Sequence, residues 1–213
     1  MFSTPNRPEI DNNTIKLLIG VIAMFLANVT SFFSGCEITS ISASYHEDGW
    51  ARNFFVGFLF AISALMLSYN GFSQKEMLLS KVAAFAAFSV AMFPCGCGSH
   101  EEIIPHIHYI SAAVMFSILA YFCHLFRKRA TRKGYTEAMR RAKIYVICGS
   151  IIVLSMLTMA IDYISNESLS EIIPRLAFYS ERAGLIAFGV SWLTASKLLP
   201  IISSSDERIH PFN

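Results

Sequence analysis

Charge is scarce in this chain. Only 15% of its 213 residues are Asp, Glu, Lys or Arg, against roughly 25% in a soluble globular domain. That shortage excludes an ordinary water-soluble fold. Proline is also rare, with 7 residues against 18 Phe, and the internal prolines fall where helices are expected to begin or stop. Pro105 and Pro174 are placed in first turns, where the missing N–H costs nothing, while Pro94 and Pro200 end helices. No internal repeat, low-complexity segment or Gly/Pro-broken central helix appears, so the usual signs of a transporter are missing. No H-E-x-x-H motif is present either. The leader "MFSTPNRPEIDNNT" is not markedly basic, the apolar run after it is too long, and no small-x-small cleavage site follows. The first apolar segment is therefore expected to be a retained helix rather than a signal peptide.

What is abundant is apolar sequence in blocks. Hydrophobic residues make up 54% of the chain, and six stretches approach the roughly 20 residues that cross a bilayer. They are 15–36, 53–71, 77–96, 106–126, 143–164 and 175–198. The expected fold is all-α, an integral membrane bundle of six transmembrane helices over 15–199, with tails at 1–14 and 200–213. The segment "RKRATRKGYTEAMRRAK" (127–143) reads as a basic loop, holding eight of the seventeen Lys and Arg residues. Placing it in the cytoplasm puts fourteen of the seventeen on that side, leaving Arg52, Arg175 and Arg182 outside. By the positive-inside rule both termini are then cytoplasmic. Such a basic run sets topology and meets anionic lipid, so membrane lipid, and no nucleic acid, is the expected partner; a homo-oligomer is compatible. Small residues in "KVAAFAAFSVAMF", and Gly57, Ala61 and Ala64 in the second span, suit close helix packing.

This topology gathers polar residues at the outer face. The stretch "SISASYHEDGWARNFFVG" supplies Ser40, Ser42, Ser44, Tyr45, His46 and Arg52; His100, His106 and His108 precede or open the fourth span; Asp162 ends the fifth; Glu181 and Arg182 lie in the sixth. Glu181 is six residues beyond Arg175, roughly 9 Å deeper at 1.5 Å per residue. An ionisable group at that depth usually faces the bundle interior and has a partner. Arg182 points about 100° away on the helix and can snorkel outward. Glu181 is thus expected to turn toward His108, Arg52 or Asp162, the alternative being a structural ion pair.

A metal site needs three or four converging N, O or S ligands. His46, His108, Asp162 and Glu181 are the candidates, with serines as nucleophile or water-orienting groups. His106 and His108, two apart, do not share a regular helix face, whereas His108 shares a stripe with Ser111, Ala112 and Met115. Three cysteines, Cys36, Cys95 and Cys97, lie toward the outside and allow a disulfide, most simply from Cys36 to Cys95 or Cys97. The alternative is thiols acting as small packing groups.

The phrases "SISASYH", "RNFFVGFLFAISALMLSYNGF", "HYISAAVMFSILAYF" and "ERAGLIAFGVSWLTAS" resemble, in order, the motifs of an uncharacterised bacterial polytopic membrane family. More distantly, the layout is similar to the six-helix FGF-receptor-activating-protein and damage-regulated autophagy modulator group, chiefly through "HYISAAVMF". The likeness spans about 40–196 and implies Ser42, Arg52, His108 and Glu181 as the family-like polar set. It also implies membrane-lipid and trafficking roles. A third comparison is with the CREST zinc hydrolases, but the His-x-x-x-His pair they carry near the last helix is absent here.

The expected function is a multi-pass protein of the bacterial inner membrane, with an outward-opening pocket for a lipid headgroup or small polar ligand. Ser42, Arg52, His108 and Glu181 line it, and no cofactor is required. The competing expectations are a zinc-dependent membrane hydrolase acting on lipid, and a scaffold or assembly factor whose polar cluster only fixes packing.

Overall fold

A computed structural model describes residues 11–35, 37–97, 100, 102–104 and 106–203. Among these residues there are helices and turns and no strand. The α-helices are α1 (Asn12–Phe33), α2 (Trp50–Ser68), α3 (Gln74–Met92), α4 (Ile107–Lys133), α5 (Thr136–Ile164), the short α6 (Ser168–Ile172) and α7 (Leu176–Ser196). Four of them, α1, α2, α4 and α5, are long and apolar enough to cross a membrane. Phe25, Phe85, Ile110, Ile147 and Leu154 are each more than half exposed, a surface suited to lipid rather than water.

Local signals explain the boundaries. The Asp11 carboxylate caps α1 by accepting from the Thr14 amide (3.2 Å) and hydroxyl (2.7 Å). Ser73 caps α3 through the Glu76 amide. The expected basic loop is not a loop. α4 and α5 run through it, broken only at Gly134, whose φ of 77° makes it a left-handed C-cap, and Tyr135. Lys, Arg, Ala and Glu are good helix formers, so the segment extends both helices instead of interrupting them. Pro174 lies outside α7, before the left-handed cap Arg175, rather than in its first turn; Pro105 is outside the described residues.

Neighbours in sequence pack side by side, and α7 closes the circuit by packing between α5 and α1. At the centre Trp192 is fully buried. The rings of Tyr69, Phe122, Phe126 and Phe188 surround it at 5.2 to 5.7 Å. Ala83, Ala84, Ala87 and Ala91 on α3 are buried as expected. There the Ser63 hydroxyl of α2 donates to the Ala84 carbonyl (2.8 Å), a polar tie between helices. Gly57 differs from expectation. It has no atom within 4 Å of a would-be Cβ and faces out of the bundle.

The closest approach lies elsewhere, between α1 and α7. A Cβ on Gly20 would sit 2.8 Å from the Leu193 amide nitrogen, and one on Gly189 would sit 2.9 Å from the Gly20 carbonyl oxygen. A side chain at either position makes the two backbones shift apart. Gly20→Val and Gly189→Leu should each cost about 1–3 kcal/mol, read as a lower unfolding midpoint in detergent. Gly57→Ala should be neutral or stabilising by up to about 1 kcal/mol. Equal effects at the three positions would contradict this packing.

Candidate functional site

The segment between α1 and α2 folds back over the start of α7. Among the described residues its one regular piece is a 3-10 turn, Ser42–His46, whose first amides have no partner within the turn. Glu181 supplies the acceptor. One carboxylate oxygen takes the amides of Ile41 and Ser42 (3.2 Å for Ser42), and the other takes the Ser42 hydroxyl at 2.8 Å. Around this latch the Ala43 amide donates to the Ser40 hydroxyl (3.0 Å), which lies 3.2 Å from the Ser42 hydroxyl. The Phe178 amide donates to the Thr39 carbonyl at 3.1 Å. The Arg175 Nε donates to the Ile38 carbonyl (3.0 Å) while its guanidinium stacks on Phe178 (4.2 Å).

The expected partners of Glu181 therefore give way to backbone N–H groups. It pairs with neither His108, Arg52 nor Asp162, and the pairing is not an ion pair. The physical reason is that a turn laid over an apolar bundle must place its amides somewhere, and a carboxylate is the strongest acceptor within reach. Arg182 turns away and donates to the Asn28 Oδ1 on α1 at 2.8 Å.

The remaining candidates spread along the same end. His46 donates from Nε2 to the Cys95 carbonyl (2.8 Å) and stacks face to face on His100, ring centroids 4.0 Å apart. His108 is buried and donates from Nδ1 to the Phe93 carbonyl (2.8 Å). Ser111 and Met115 are buried on the same stripe. His106 is the left-handed cap before α4 and shares no face with His108. Arg52 is exposed and lies over the Tyr45 ring at 4.8 Å. Asp162 accepts from the amides of Leu169 (3.0 Å) and Ser170 (2.9 Å) and from the Ser170 hydroxyl, tying α5 to α6. Cys95 and Cys97 form a disulfide with each other, not with Cys36, which is outside the described residues.

Of the ligand set, the structure thus joins Ser42 to Glu181 directly. Arg52 stands beside the same turn through Tyr45, and His108 is on the separate α3–α4 side. Of the metal set, Glu181, Asp162, His46 and His108 each face a different partner. Among the described residues no three His, Cys, Asp or Glu side chains converge as metal ligands. The Ser42 hydroxyl is oriented by a carboxylate that already holds two amides. Ser42 is thus a positioned hydrogen-bond donor, its hydroxyl held on the carboxylate.

No family model matches the chain, and no curated protein or solved structure shows significant similarity to it.

Glu181→Ala should free the Ile41 and Ser42 amides, raising their hydrogen-exchange rates by roughly 10- to 100-fold, the equivalent of about 1.4–2.7 kcal/mol. Glu181→Gln keeps one acceptor oxygen and should have a smaller effect. Unchanged exchange in Glu181→Ala would mean that the latch is not formed.

Proposed function

We propose that this chain is a six-span protein of the bacterial inner membrane, with both termini cytoplasmic. In this reading it binds a lipid headgroup or small polar molecule at the end carrying the Ser42–His46 turn. α3 and α7, with 19 and 21 residues, are long enough to span at 1.5 Å per residue. This topology assigns fourteen of the seventeen basic residues to the cytoplasmic side, as the positive-inside rule asks. The Cys95–Cys97 disulfide fits an oxidising compartment at the turn-bearing end.

The observation that carries the ligand reading is the latch. Glu181 reaches across 139 residues to hold the Ser42 turn rigidly above an apolar bundle, next to the exposed Arg52. Rigid donors around an apolar base are how small-ligand sites fix orientation. In this reading Arg52 meets the anionic or most polar part of the ligand, and the Ser40 and Ser42 hydroxyls orient it. His108, committed to Phe93, holds the wall behind.

A second reading, a scaffold whose polar cluster fixes packing, is favoured by a specific observation. Glu181, Asp162, His46 and His108 all bond to backbone groups. Photoreactive phosphatidylglycerol, applied to the purified full-length protein, separates the two. Ligand binding predicts labelling concentrated in 37–52, falling about tenfold in Arg52→Ala, as loss of a charge-assisted hydrogen bond requires, with an unchanged unfolding midpoint. Equal labelling of wild type and variant would leave the scaffold.

A further inference from the structure

The connection between α3 and α4 carries the run Pro94, Cys95, Gly96, Cys97, and its two cysteines are joined to each other. A bridge across one intervening residue closes a very short loop, and the stabilisation a disulfide gives through the unfolded chain grows with loop length. Both sulfurs also belong to the same connection, so the bridge ties no helix to another. As a staple it does little. Its surroundings nonetheless hold it in place. The Cys95 carbonyl accepts from His46 Nε2 (2.8 Å), whose ring stacks on His100. The Gly96 carbonyl accepts from the Tyr109 hydroxyl at 3.4 Å. The Cys97 sulfur lies 3.9 Å from the Ser40 hydroxyl, within reach of a hydrogen bond to sulfur.

The two sulfurs differ in access. Cys95 is fully buried, whereas Cys97 is partly exposed. Exchange requires a thiolate to reach one sulfur of a disulfide while the other departs. An incoming thiolate therefore meets Cys97, and Cys95 is the leaving sulfur. The neighbouring hydroxyl is a donor for the sulfur that stays behind. Ser42 gives its proton to Glu181, so Ser40, 3.2 Å away, keeps its own for Ser42 Oγ or for the Cys97 sulfur. On the other side Glu102 packs on Gly96, and the next two side chains, Ile103 and Ile104, are 70% and 46% exposed. Apolar groups presented together in the segment packed on an open sulfur suit a polypeptide better than a small thiol.

We propose that the Cys95–Cys97 pair is a thiol–disulfide exchange site whose substrate is a polypeptide dithiol. A substrate thiolate attacks Cys97 Sγ. A bond forms between those sulfurs, the Cys95–Cys97 bond breaks, and Cys95 leaves as a thiolate. The second substrate thiolate then attacks the first substrate sulfur and closes the substrate's disulfide, with Cys97 as the leaving thiolate. The substrate is oxidised by two electrons and the pair is reduced by two; the protons given up by the substrate thiols end on Cys95 and Cys97. A second disulfide, on a protein or a small molecule, restores the bridge by the reverse exchange and is itself reduced to thiols. The site does not depend on the ligand reading at this end. The six-span reading supplies only its compartment, the outer one, where disulfides persist.

The test uses the full-length protein in neutral detergent, with Cys36, Cys123 and Cys148 replaced by alanine so that Cys95 and Cys97 are its only cysteines. The probe is a synthetic peptide with two cysteines, added in excess in its reduced form under anaerobic conditions. The bridged protein should convert about one peptide per chain to the disulfide, and should do so faster than glutathione disulfide at equal concentration. In a second arm Cys95→Ser and Cys97→Ser each meet the peptide in its disulfide form. Cys95→Ser should form the mixed disulfide at least roughly 10-fold faster than Cys97→Ser, because only the Cys97 sulfur is open to solvent. The proposal is overturned if the bridge opens to the peptide only after the protein is unfolded, or no faster than glutathione disulfide reacts. Equal rates for the two serine variants would also overturn it. Should a serine variant fail to fold, the first arm, with the bridge intact, decides.

Discussion

The contact on which the rest of this structure depends is the approach of α1 to α7 at Gly20 and Gly189. A carbon added at either glycine would enter the backbone of the facing helix, so the two helices meet without side chains between them. In a membrane, where lipid is as apolar as any side chain, such close backbone packing is a main source of helix association. It closes the circuit of six long helices and fixes what lies above and below. Toward one end, α7 carries Glu181 under the segment that follows α1. Toward the other, Lys16 of α1 and Lys197 at the end of α7 line one cavity.

The two ends solve the problem of polar groups beside lipid in opposite ways. At the end with the serine turn, two carboxylates have found donors in the backbone: Glu181 holds Ile41 and Ser42, and Asp162 holds Leu169 and Ser170. Such matching makes a stiff cap and leaves Arg52 as the exposed cation beside the turn. At the basic end the charges accumulate, with Glu76 committed to Arg129.

The helices were legible because apolar blocks of span length admit few alternatives, and α3 buries the alanine face its composition suggested. Boundaries were less so: the first three helices begin three residues earlier than the apolar blocks do, since polar residues such as Asn12 and Arg52 continue a helix into the interface. The 127–143 segment was misread because charge was taken as a mark of loop, while the only breaker in it is Gly134. The partner of Glu181 was out of reach because the search was for charged side chains, and the acceptor was needed by main-chain amides 139 and 140 residues away. The glycine contact gave no signal, because Gly20 is the one glycine of α1 and Gly189 follows Gly184 by five residues rather than at the four-residue spacing of a small-xxx-small motif. The basic residues were counted by loop to orient the chain, a sum that does not say which cations from four separate segments share a cavity.

The closure of α1 on α7 is open to a direct measurement. Met24→Cys and Gly189→Cys are combined in a background where Cys36, Cys123 and Cys148 are alanine, and the chain is oxidised in intact membranes. A β-carbon at Gly189 lies 2.5 Å from the Met24 side chain, within disulfide reach. Phe25→Cys with Gly189→Cys, Phe25 being exposed on the helix surface, is the comparison. The account predicts rapid intramolecular cross-linking of the first pair and little of the second. Equal yields, or none in the first pair while the chain stays folded, would contradict it.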